Sequence, residues 1–170
     1  MDGNVQKAAG RPVVYLETSF VSYLTGRVSG NPQVALNQAA TRRWWDEERS
    51  RYLLRASPLV VREADRGDAD QRRLRAEILA EAELIPVTAE AERLARRLLA
   101  AKALPPAAEA DALHVAVATT GRADYLLTWN CRHIANTDTL PVIQRTIVRA
   151  GYDAPVITTP SLMLESRHEN

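Results

Sequence analysis

Short apolar runs separated by amphipathic stretches set the organisation of this chain. Residues 13–16 read VVYL and predict a buried strand, which runs straight into Glu17, Thr18, Ser19 and a short apolar pattern of Phe20, Val21 and Leu24. After a Gly/Ser/Asn-rich loop, Pro32 opens a helical stretch to about residue 51, carrying Val34, Leu36, Ala40, Trp44 and Trp45. Residues 52–56 predict a second strand. Ser57-Pro58 then starts a helix that stops at Gly67, and Asp68 caps a charged helix through residue 80. A third strand is predicted over residues 84–87, placed at an edge because of Pro86. Thr88 caps the helix bearing Leu94, Leu98 and Leu99, and a helix begun by Asp138 and Pro141 ends at Gly151. Residues 156–159 predict a last strand. Strands alternate with helices nearly throughout, so the pattern predicts an α/β fold with a mostly parallel sheet covered by helices on both faces. No internal repeat interrupts it. The expected division is a loose tail over residues 1–12, one domain over 13–164 and a frayed tail over 165–170.

The most informative stretch is residues 109–136, EADALHVAVATTGRADYLLTWNCRHIAN. Its first half is a small-residue helix with Asp111, His114, Val115 and Ala118 on one stripe, so a carboxylate heads a face that otherwise looks buried. A glycine turn follows. The run ADYLLTW then predicts a strand covered on both faces, ending in the polar residues Thr128 and Asn130. The first strand ends in the same manner at Glu17. If the two strands are parallel, both polar switches lie on one edge of the sheet, where open α/β sheets bind ligands.

Composition narrows the function classes without choosing one. At 170 residues and 46% hydrophobic, the chain can bury one substantial core. Formal net charge is +1, so no global field demands a polyanion. Of 22 basic residues only Lys7 and Lys102 are lysines; arginine suits phosphate recognition and solvated helix faces alike. One cysteine excludes an internal disulfide framework, and no stretch resembles a signal sequence or a membrane span, which leaves the cytoplasm as the expected compartment. The adjacent Trp44 and Trp45, flanked by charges, could stack bases, but burial against a sheet or a partner is the commoner role. Such aromatic area is rarely left in water, so this region is a candidate dimer surface.

Glu17, Glu63, Asp111 and Asn130 lie on four different elements and form a possible oxygen-ligand cluster. Spacing alone does not select Glu63, for which a solvent-facing role is the default. Mg²⁺ and Mn²⁺ prefer carboxylate and amide oxygens and need only one or two direct carboxylates when substrate phosphate completes the shell. Such a cluster fits phosphodiester cleavage. Competing chemistries fit less well. Cys131 and His133 are spaced so that they do not face each other on a helix, zinc ligands lack a familiar spacing, and no Gly-rich phosphate loop is present. His114 reads as a satisfied, semi-buried histidine.

The segments YLETSFVSYL, SPLVVREADRG, ADALHVAVA and ADYLLTWNCRHIAN, in this order, resemble the PIN-domain family and within it the VapC-like toxins, over residues 13–160. The resemblance implies a three-layer α/β/α sandwich and a Mg²⁺- or Mn²⁺-dependent endoribonuclease. It also implies the toxin role in a type II toxin–antitoxin pair, a homodimer, an RNA substrate and a small antitoxin partner. By position it assigns Glu17, Glu63 and Asp111 as acids of the metal site. Asn130 falls where many members place a fourth acid, and Ser19 and Thr128 fall at supporting polar positions. Two departures stand out. Glu17 adds a methylene to the usual Asp, so its carboxylate must retract or displace the metal by about an ångström, a scale that can cost on the order of a hundredfold in rate. Asn130 keeps an oxygen but loses a charge. A PIN-fold module that binds RNA or protein without turnover is therefore the second expectation.

Overall fold

The computed structural model describes residues 10–168. Five strands, β1 (Val13–Leu16), β2 (Leu53–Ala56), β3 (Glu83–Leu84), β4 (Tyr125–Leu127) and β5 (Val156–Thr158), form one sheet in the order β3-β2-β1-β4-β5, with every neighbouring pair parallel. The chain steps outward from β1 through β2 to β3, then crosses back to the other side of β1 for β4 and β5. The reversal opens a crevice at the C-terminal ends of β1 and β4, which is where such sheets bind ligands. Leu16 is in register with Leu127, so the residues that follow each of them emerge side by side.

Eight α-helices among the described residues complete the fold: α1 (Thr18–Thr25), α2 (Pro32–Glu48), α3 (Pro58–Ala64), α4 (Ala69–Leu79), α5 (Ala89–Ala100), α6 (Glu109–Thr120), α7 (Leu140–Arg149) and α8 (Pro160–His168). Contacts divide them into two groups: α1 packs with α2, α3 and α4, and α2 with α8, while α5 packs with α6 and α7. This is the three-layer arrangement that the alternation predicted.

Element boundaries shift where local chemistry overrides the pattern. The third strand ends at Leu84 because Pro86 has no N–H to continue the ladder, and the Ile85 N–H makes the last bond, to Ala56 O. The helix of residues 32–51 tightens into a 3₁₀ turn over Arg49–Arg51. The helix α8 runs past Leu164 to His168, with Met163 and Leu164 buried. Expectations for residues 1–9 and 169–170 lie outside the described residues. Gly121, at the expected glycine turn, has an ordinary φ; a Cβ there would sit 2.4 Å from Ile85 Cδ1 and 2.9 Å from Val117 O. Close packing, not positive φ, requires it.

Trp44 and Trp45 are core residues and not a dimer surface, with 0% and 6% exposure. Trp44 stacks on Tyr52 with centroids 5.6 Å apart and meets Phe20 edge-on at 5.5 Å. The charges at Arg42, Arg43, Asp46 and Glu47 flank the rings in sequence, but one stripe of α2 carries Gln38, Thr41, Trp44, Trp45 and Glu48 inward. Trp44→Ala is expected to cost about 3–5 kcal/mol. In a chain of this length that lowers the melting temperature by roughly 6–20 °C, measurable by calorimetry.

Candidate active site

Glu17 leaves β1 and becomes the N-cap of α1, in extended backbone conformation (φ −77°, ψ 157°). Its carboxylate folds back so that Oε2 accepts the Ser19 N–H at 3.1 Å, a capping bond, together with the hydroxyls of Ser19 and, at 2.8 Å, Thr128. The longer side chain has thus retracted onto its own helix. Thr128, directly after β4, also accepts the Asn130 N–H at 2.9 Å. Ser19 Oγ accepts the Trp129 N–H at 2.8 Å, and the backbone N–H of Glu17 itself reaches Leu127 O at 3.1 Å. The two polar switches are therefore bonded into one unit at the β1/β4 crevice.

His114, in the middle of α6 and only 1% exposed, is the hub of the second unit. Its Nε2 lies 2.5 Å from Glu63 Oε1, which also accepts the Thr18 hydroxyl at 2.9 Å. On the other side of the ring, Nδ1 lies 3.0 Å from the Tyr15 hydroxyl, itself 2.8 Å from Ser57 Oγ. An ionised carboxylate only accepts, so the proton sits on Nε2; in the neutral ring Nδ1 accepts from Tyr15, and Tyr15 accepts from Ser57. Burial pushes the Tyr15 phenol pKa far up; the Ser57 bond opposes this, and the negative charges of Glu17 and Glu63 add to it. Tyr15 is therefore a neutral relay. Glu17 Oε1 stands 3.9 Å from the same His114 Nε2, so two acids, one at the N-cap of α1 and one on α3, meet at one imidazole.

Glu63 is not the solvent-facing residue that sequence alone suggests: its side chain is 26% exposed and doubly bonded. Burial pushes its pKa up, but the His114 hydrogen bond, the positive charge that ring carries when protonated, the Thr18 hydroxyl and the Arg66 charge outweigh this and hold it below the ordinary value of 4.5. A depressed carboxyl stabilises the fold above its unfolded pKa and loses that contribution as pH falls through the folded value. Glu63→Gln is accordingly expected to narrow the stability gap to wild type as pH drops below about 4. Urea unfolding across acid pH measures it; a gap independent of pH would contradict the assignment.

Asp111 lies in the first turn of α6, one turn before His114, and its Oδ2 is 2.7 Å from His133 Nδ1. Asn130 uses its side-chain oxygen to accept the His133 N–H at 3.1 Å, capping the turn that brings His133 to Asp111. The structure thus joins Glu17 and Glu63 through His114, and Asp111 and Asn130 through His133; among the described residues the two pairs share no direct hydrogen bond, and Thr128 bridges them by donating to Glu17 and accepting the Asn130 N–H. Sequence reasoning missed His133, Thr18, Tyr15 and Ser57. Only Tyr15 carried a signal, as a polar-tipped residue inside a buried strand. Cys131 is exposed and outside both networks.

Among the described residues, no group of three or more His, Cys, Asp or Glu side chains is placed to hold a metal ion. The donor chemistry nevertheless fits a hard divalent cation. Glu17 Oε1, Glu63 Oε2 and Asp111 Oδ1 accept no hydrogen bond from the described residues, and Mg²⁺ keeps several waters while using only one or two carboxylates.

No protein-family model matches the chain, and no curated protein matches it. Solved structures do. VapC20 of Mycobacterium tuberculosis, a sarcin-ricin loop cleaving toxin, superposes with a TM-score of 0.56 at 18% identity, over 73% of this chain and 95% of that one. The VapBC2 structure from Rickettsia felis, bound to a DNA fragment from its promoter, gives 0.57 at 15% identity, over 86% and 98%. The five parallel strands, the switch point between β1 and β4 and these superpositions together establish that the chain has the PIN-like α/β/α fold found in VapC toxins.

Proposed function

We propose that the protein is a divalent-metal-dependent endoribonuclease of the VapC-like branch of the PIN-domain family, the toxin of a type II toxin–antitoxin pair. The observation that carries this reading is the convergence of Glu17 and Glu63 on His114 at the sheet's switch point, with Asp111 one turn away on the same helix. RNA as substrate is supported by the cleavage named for VapC20, and a small antitoxin partner by the VapBC2 complex. The reading includes a homodimer and a cytoplasmic setting; no helix among the described residues is long and apolar enough to cross a membrane.

Glu17, Glu63 and Asp111 would hold Mg²⁺ or Mn²⁺ through their free oxygens, with Asn130 beside them. When bound, the ion supplies Lewis-acid polarisation of the phosphodiester and lowers the pKa of water. The protein's own work is positional. Ser19 and Thr128 fix the Glu17 carboxylate, His114 and Thr18 fix Glu63, and His133 fixes Asp111. Each acid thereby presents one oxygen without a rotamer search on binding.

RNA cleavage across a Mg²⁺ and Mn²⁺ series, reversed by chelation, tests the activity. Asn130→Asp keeps the acceptor for the His133 N–H and adds a charge, so divalent affinity is expected to rise by about five- to tenfold, on the order of 1 kcal/mol. Mn²⁺ titration measures it, and unchanged affinity would place Asn130 outside the site. The lack of a three-ligand group among the described residues favours a second reading, a PIN-fold interaction module without turnover. No cleavage, together with no stabilisation by Mn²⁺, would select that reading.

A further inference from the structure

Trp129 and Tyr23 form a half-buried stacked pair, ring centroids 5.7 Å apart and planes 26° from parallel. Both are tied to the acid site. Trp129 lies between Thr128 and Asn130, and its backbone N–H donates to Ser19 Oγ, which in turn donates to Glu17. Tyr23 follows Ser19 by four residues on α1, so it stands one turn above it on the same stripe. The Trp129 indole N–H is committed to the buried Thr41 hydroxyl at 2.8 Å. That bond fixes the ring's tilt and uses its only polar group, so a ligand can meet this ring only through the π surface that Tyr23 leaves uncovered. Tyr23 has no hydrogen-bond partner among the described residues, which leaves its hydroxyl free. Trp44 and Trp45 are sealed in the core, so of the chain's three tryptophans Trp129 alone is partly open.

We propose that the Tyr23–Trp129 pair is a base-stacking subsite, holding an unpaired nucleobase next to the phosphodiester that the acids address. The inference rests on the ribonuclease reading and adds to it the residues that hold a base. Bases in a duplex have both faces covered, so an aromatic surface joined to the acid site through the Trp129 backbone takes its base from single-stranded or looped RNA. Because the indole has no free polar group and every base has a π face, the pair tolerates any sequence and discriminates by strandedness.

The test uses a short fluorescently labelled RNA in EDTA, which separates binding from cleavage. Wild type is expected to bind the single strand with saturable quenching of tryptophan emission. Trp129→Leu and Tyr23→Leu should each weaken binding by roughly five- to a hundredfold, measured by anisotropy of the label. Trp129→Phe should keep most of the affinity while losing the quenching. Affinity for the same sequence as a duplex should be weaker and insensitive to all three changes. Tyr23→Leu, which removes a hydroxyl without a partner, carries the test if Trp129→Leu does not fold. Equal single-strand affinity in wild type and the leucine variants would overturn the subsite while leaving metal-dependent cleavage by wild type, and so the ribonuclease reading, intact. No RNA binding and no cleavage by wild type would overturn both.

Discussion

Asp111→Asn is expected to reduce divalent-dependent RNA cleavage by about a hundredfold or more while leaving the fold in place. Asp111 offers Oδ1 free and holds Oδ2 against His133 Nδ1 at 2.7 Å. The amide oxygen of Asn can still accept that bond, so the link between α6 and the loop after β4 survives. The charge facing a divalent ion does not. The cost to stability is confined to losing an acid from the first turn of α6, where the helix dipole favours negative charge; this is worth about 0.3–1 kcal/mol, or roughly 1–4 °C. Melting curves, Mn²⁺ titration and cleavage assays on one preparation separate these effects. Wild-type cleavage by a folded Asp111→Asn protein would show that the activity resides elsewhere or in a contaminant.

The sheet was legible in the sequence because the signal for a parallel strand is local. VVYL and ADYLLTW are short apolar runs, each ending abruptly in polar residues, and parallel pairing then places Glu17 beside Thr128. The site was legible only in outline. Glu63 looks like any exposed glutamate on a short helix, and its environment exists only because the β2-to-β1 pairing sets α3 against α1 and α6. The His114 hub draws on partners 51 and 99 residues distant, and no spacing rule reaches that far. The resemblance to a family pointed to Glu63, and in the structure a histidine that reads as ordinary core filling holds its carboxylate. For the tryptophan pair, burial was the commoner expectation and it holds, while the candidate dimer surface does not: helical geometry sends residues 41, 44, 45 and 48 to one face and residues 42, 43, 46 and 47 to the other. The C-terminal helix left too short an apolar pattern to be seen, and it is ordered through packing against α2.

The hub can be tested directly. His114→Leu keeps apolar volume near that of the imidazole but removes both of its hydrogen bonds, leaving Glu63 without its closest partner and the buried Tyr15 hydroxyl with Ser57 alone. Losing a charge-assisted bond and stranding a buried polar group costs about 2–4 kcal/mol, equivalent to a melting temperature lower by roughly 4–16 °C. Function is expected to fall further than stability. A carboxylate released from its clamp must be reordered on binding, and misplacement by about an ångström costs on the order of a hundredfold in rate. Stability loss alone does not distinguish a positioning role from simple core filling, so two further variants are needed. His114→Gln restores a donor for Glu63 and should recover part of the Mn²⁺ affinity even if it recovers little stability. In a double-mutant cycle, His114→Leu combined with Glu63→Gln should show a coupling of about 1–3 kcal/mol, because each single change already forfeits the shared bond. Additive losses, or full cleavage by a folded His114→Leu protein, would reduce His114 to a buried filler and leave the Thr18 hydrogen bond to hold Glu63 in place.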